Sequence, residues 1–141
     1  MEKFSSKQMA VLSSSFLDLA EALNNNLEDN KLTYTQIQIS KNLHSTSQLL
    51  DLASELNEVF IDASFSELEE AVRQIESSII NMKKIINKVN VYEDVVSLTL
   101  RGILIGVTIK SGAGIEAIGK VINEFVEEGK RVLIKKSEEI A

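Results

Sequence analysis

The sequence predicts a mainly α protein: an antiparallel bundle of about four helices, with an apolar segment, 91–113, that is either a β-hairpin or an extra buried helix. Three observations carry that expectation. One set of apolar residues recurs with unbroken helical spacing. Pro is absent from all 141 residues, which suits long helices joined by short turns. The hydrophobic content of 44% is nearly all aliphatic, with 5% aromatics and no Trp, a palette for helix-on-helix packing. A chain of this length is expected to form one domain, 1–141, with a core that needs no staples.

The third helix is the plainest. Phe65, Leu68, Val72, Ile75, Ile79, Met82, Ile86 and Val89 follow one another at alternating spacings of 3 and 4. Ser66 and Glu69 have capping-box spacing. Glutamates crowd the first turns and Lys83, Lys84 and Lys88 the last, as the helix dipole prefers. The seam is coiled-coil-like, but its flanks differ. One carries Glu69, Glu76 and Lys83, the other Ala71, Ser78 and Ile85, so the buried face is wider than a two-stranded seam and fits a bundle.

The first helix repeats the rhythm in Met9, Leu12, Phe16, Leu19 and Leu23, and should end at or just after Asn24–Asn26. The second, from about Thr33 to Phe60, has a broader stripe and a polar middle, Ser40 to Gln48. The last starts near Ile115, with Ile118, Ile122, Phe125 and Val132 on one face. Short breaks near 29–32, 61–64 and 90–94 predict antiparallel neighbours.

Residues 91–113 break the pattern. Val95 to Ile109 holds eight β-branched residues, and Gly102, Gly106, Gly112 and Gly114 gather here. A hairpin turning at Arg101-Gly102 would pair Leu100 with Ile103, Leu98 with Ile105 and Val96 with Val107, all on one face. Its turn lacks the Asn-Gly or Asp-Gly that favours such hairpins. A helix would instead align Tyr92, Val96, Leu100, Ile103 and Val107, with Gly102 and Gly106 one turn apart for close contact. Almost every other position would need burial too. Val96, Leu98, Leu100, Ile103, Ile105 and Val107, the shared face of the hairpin, are the candidate interaction residues.

Composition narrows the function. The net charge of −6 has the wrong sign for a phosphate-neutralising surface, so no nucleic-acid partner is expected. The basic groups Lys83-Lys84-Lys88 and Lys130-Arg131 with Lys135-Lys136 fall at helix ends, where they complement the dipole. With no Cys there are no disulfides, thiolate metal sites or cysteine nucleophiles. Met1–Lys7 lacks a secretory pattern and the longest apolar run, Val95–Ile109, is too short to span a bilayer as a helix; a cytoplasmic chain is expected.

Chemistry finds no anchor. His44 is the single histidine, with no carboxylate three or four residues away and Lys41 where a di-metal helix would place its Glu. Glu127-Glu128 and Glu138-Glu139 read as solvated faces. Ser111-Gly112-Ala113-Gly114 lacks the spacing and the Lys of a phosphate loop. No catalytic residue, cofactor or metal is therefore expected. The leading expectation is a non-enzymatic helical interaction module, an adaptor, regulator or assembly part that self-associates as a homodimer with 95–109 in or beside the interface. The alternatives are a membrane-active protein that inserts 95–109 into a bilayer, and a ligand-binding or enzymatic bundle around His44.

Overall fold

In the computed structural model, which describes residues 1–140 with side chains through Glu138, five α-helices account for nearly the whole chain. They are α1 (Ser6–Asp29), α2 (Gln36–Glu55), α3 (Phe65–Ile86), α4 (Tyr92–Lys110) and α5 (Ile115–Ile140). A 3-10 turn, Leu56–Glu58, extends α2.

Local chemistry sets the helix starts. Ser5, Thr35 and Ser64 each accept from the backbone amide three residues on. Gln8, Gln38 and Glu67 return the bond to the cap's own N–H. The third of these boxes begins two residues before the expected Ser66, and Glu69 is turned elsewhere, accepting from Gln8 Nε2 of α1 at 3.0 Å. α4 has no side-chain cap, and Glu93 and Asp94 stand in its first turn, where negative charge favours the N-terminus.

The hairpin is overturned: 92–110 is the helix α4, and a fifth helix joins the four expected. No strand forms among the described residues beyond one bridge that ties Glu2 to Ile61. Tertiary burial overrides β propensity here. Val95, Leu98, Ile105 and Ile109 are inaccessible, and the two glycines let neighbouring helices come close. A Cβ on Gly102 would lie 2.8 Å from Leu19 of α1, with Leu49 of α2 and Phe125 of α5 next in range. One on Gly106 would lie 3.2 Å from Leu52 Cβ. A hairpin could not present that smooth face to three helices.

The other helices fall close to their expected spans, though α2 is shorter, and α1 runs a turn past Asn24–Asn26. Leu68, Val72, Ile75, Ile79, Met82 and Ile86 are buried as the seam requires, while Phe65 at its start is exposed.

The helices close into a ring in the order α1–α2–α4–α5–α3, with α4 also touching α1 across the centre. Along the chain, though not around the ring, each helix reverses the direction of the one before. Asn26, late in α1, bonds Ile86 and Val89 at the end of α3, so α1 and α3 run parallel. Lys110 pairs with Glu55, so α4 runs beside α2 in the same sense. Arg131 and Lys135, late in α5, reach Asp94 at the start of α4, so these two are antiparallel. Antiparallel neighbours were expected throughout, yet only α1/α2 and α4/α5 are such pairs. The links 59–64 and 87–91 instead cross the ends of the bundle, because α2 and α3, and α3 and α4, are not ring neighbours.

Candidate interaction surface

α4 sorts its side chains by depth. Its inner arc is Asp94, Val95, Leu98, Thr99, Gly102, Ile105, Gly106 and Ile109. The outer arc, at helical spacing, carries Val96, Leu100, Ile103, Leu104 and Val107. Leu100 is 55% and Val107 45% exposed, while Val96, Ile103 and Leu104 are half-buried, the last two packed against the edge of the core. The six candidate residues therefore do not share a face. Leu98 and Ile105 belong to the core, and the other four form an outward aliphatic stripe, because their alternation is a strand period wound onto a helix.

The stripe's borders are polar. On the α5 side, Arg101 leaves the stripe for Glu124 at 3.5 Å and Glu128 at 3.9 Å. Glu128, expected on a solvated face, is mostly covered and also pairs with Arg131. Burial works against its charged form. The hydrogen bonds from Arg131 and Ser97, with the nearby Arg101, outweigh this and hold its carboxyl below the usual range. Glu127 is exposed as expected, and the side chain of Glu139 lies outside the described residues. On the α2 side stand Lys41, Gln48 and Glu55, all exposed and seven residues apart. Glu93 and Lys110 mark the two ends.

At the base of α4, Asp94 is 6% exposed, with Arg131 at 3.3 Å and Lys135 at 3.4 Å. A buried carboxylate is tolerable only when so paired. The sequence separates these residues by 37 and 41 positions, and nothing local links them. Tyr34, edge-on to Tyr92 at 5.8 Å, has its phenol pushed up to about 12 by burial and by the charges of Asp94 and Glu93.

Exposed apolar side chains also stand outside α4, among them Leu43 and Leu50 on α2, Phe65 and Ile80 on α3 and Ile134 on α5. His44 is exposed on α2, away from the core. Among the described residues no group of three His, Cys, Asp or Glu side chains is arranged for a metal ion. The cleft between Val89, Asp94, Val132 and Lys135 has room for little more than a water molecule. The groove between α3 and α5, lined by Gln74, Ser77, Asn81 and Asn123 together with Ile122 and Val126, is wide, open and mixed in polarity. Among the described residues no helix is long and apolar enough to cross a membrane. No family model, curated protein or solved structure matches the chain.

Proposed function

We propose that this protein is a non-enzymatic helical interaction module that self-associates through the outer face of α4. One observation carries the reading: along one side of α4, at 3- and 4-residue spacing, Leu100 and Val107 are exposed and Val96 and Ile103 half-buried, on a helix whose remaining sides are covered by α1, α2 and α5. Such a stripe is half of a helix–helix contact. Singly scattered apolar residues need no explanation, but a contiguous stripe with polar borders has the anatomy of an interface. Insertion of 95–109 into a bilayer is less favoured on physical grounds. It would strip Val95, Leu98, Ile105 and Ile109 from the centre of the bundle, and the stripe is bordered by the carboxylates of Glu93, Glu124 and Glu128. A reaction centred on His44 has no orienting partner to support it.

Leu100→Glu tests the reading. The position is exposed, so the folded monomer should lose no more than about 0.5 kcal/mol. Sedimentation at micromolar concentration should give a wild-type dimer and a variant monomer near 15.6 kDa. A wild-type chain that stays monomeric on concentration, or a dimer indifferent to Leu100→Glu, would overturn the proposal.

A further inference from the structure

Resting on that reading, we infer that the occupant of the α4 stripe is α4 of a second copy, antiparallel, with the two-fold axis crossing between Arg101 and Gly102. Four residues of the stripe are symmetric about that point, and Leu104 widens it on the α5 side without a mirror partner, since Thr99 is buried. Leu100 and Ile103 lie one and a half residues to either side, and Val96 and Val107 five and a half. At 1.5 Å per residue these are offsets of about 2 and 8 Å. An antiparallel partner therefore sets Leu100 against the partner's Ile103 and Val96 against the partner's Val107. A parallel partner could match like with like as well, so the hydrophobic pattern alone leaves the direction open.

Charge decides it. Glu93 and Lys110, both exposed, are equally far from the midpoint, at opposite ends of the stripe. Antiparallel docking brings each acidic end against a basic end, and parallel docking stacks like on like. α2 repeats the arrangement. It runs alongside α4 in the same sense, with Leu49 against Gly102 and Leu52 against Gly106, so Gln48 lies near the level of the axis. Lys41 and Glu55 are two turns away on either side of Gln48 and on its face. The same rotation carries each Lys41 toward the partner's Glu55, beside the Lys110 that Glu55 already pairs with. Arg101, the one charge at the axis, is turned onto Glu124 and Glu128, so it does not confront its own copy.

The stripe alone falls short of the roughly 800 Å² per partner of a standard interface. The α2 border must close with it, and the complex should be of micromolar rather than nanomolar affinity.

The chain has no cysteine, so introduced thiols are unique. Val96→Cys and Val107→Cys proteins, treated with a short bifunctional thiol reagent, should cross-link when mixed and not when treated separately. Like positions would stand about 16 Å apart across the axis. Lys41→Glu should weaken the dimer several-fold, and adding Glu55→Lys should recover part of that loss, the remainder reflecting the broken Glu55–Lys110 pair. Efficient self-linking of Val96→Cys alone, or no cross-linking in a mixture that sedimentation shows to be dimeric, overturns this register. If Leu100→Glu still gives monomers in that case, the docking face survives and only its geometry is wrong. A wild-type monomer at every concentration removes both.

Discussion

Replacing Asn26 with Leu should lower the stability of this protein by about 3 kcal/mol, and the structure shows why so small a change in volume is costly. Asn26 Nδ2 donates to Ile86 O at 2.9 Å and Val89 O at 2.6 Å, and its Oδ1 accepts from the Tyr34 hydroxyl at 3.1 Å. Ile86 closes α3, and its carbonyl otherwise accepts only from Val89 N–H at 3.1 Å; the Val89 carbonyl, just beyond, otherwise has Asn30 Nδ2 at 3.5 Å. One side chain thus fastens the end of α1 to the end of α3 and to the lead into α2. Leu fills comparable space and adds apolar burial worth about 2 kcal/mol. Against this, the Ile86 carbonyl loses one of two donors at about 1 kcal/mol, while the Val89 carbonyl, left with a 3.5 Å contact to Asn30, and the Tyr34 hydroxyl, left without its acceptor, cost about 1–3 kcal/mol each. For a chain of this size the net loss corresponds to a fall in Tm of roughly 10 °C, read by thermal unfolding under far-UV circular dichroism. Tyr34→Phe removes one bond of the same network and should cost only about 1 kcal/mol. A Tm for Asn26→Leu within about 2 °C of the wild type, or a larger loss for Tyr34→Phe, would refute the claim that this amide caps α3.

Two glycines should respond oppositely to alanine. Gly119→Ala in α5, where an added Cβ meets nothing within 4 Å, should stabilise by up to about 1 kcal/mol, whereas Gly102→Ala, against Leu19 at 2.8 Å, should destabilise by about 1–2 kcal/mol on denaturant titration. Asn42→Leu should raise the melting temperature, because Asn42 is buried in α2 and its Nδ2 has no hydrogen-bond partner. A folded phenol pushed up to about 12 binds its proton more tightly than an unfolded one. Stability from Tyr34 is thus complete below pH 10 and is lost as pH rises from 10 toward 12, at up to about 1.4 kcal/mol per pH unit. Tyr34→Phe should flatten that alkaline slope in urea titrations repeated across the range.

How much of this was legible in the sequence depended on whether a pattern was local. The α3 seam was read almost residue by residue, since a stripe of one period needs no knowledge of its neighbours, and the same is true of Leu12, Phe16, Leu19 and Leu23 in α1. Ring order was not legible. Short links suggest that successive helices touch, but 59–64 and 87–91 are long enough to cross an end of the bundle. Asp94 with Arg131 and Lys135, and Asn26 with the α3 carbonyls, were invisible for a related reason: their partners are brought together only by tertiary structure. Glu128 was misread because a charged pair at the end of an apolar stripe looks solvated until a partner such as Arg101 covers it. Of the six candidate surface residues, Leu100 and Val107 are exposed, Val96 and Ile103 half-buried, and Leu98 and Ile105 in the core. Leu98 and Ile105 were added to the other four by assuming strand alternation.

That error and the proposed dimer share a geometric root. A hairpin turning at Arg101-Gly102 pairs each residue with the one equidistant across the turn: 100 with 103, 98 with 105, 96 with 107. An antiparallel two-fold pair of helices centred at the same point matches the same numbers, one from each chain. The symmetry about 101–102 that gave the hairpin its register is therefore the symmetry a self-complementary helix needs. The two arrangements differ in which residues can take part. A strand shows every second side chain to one side, so 96, 98, 100, 103, 105 and 107 would act together. A helix turns 98 and 105 through half a revolution, into the core, and leaves 96, 100, 103 and 107 outside. Burial in the structure follows the helical division, with Leu98 and Ile105 inaccessible and Leu100 and Val107 exposed. The palindrome is not needed to fold α4, whose inner arc already supplies its packing. On the outer arc Leu100 and Val107 are left exposed, and a second copy is the simplest surface that carries the same sequence in reverse.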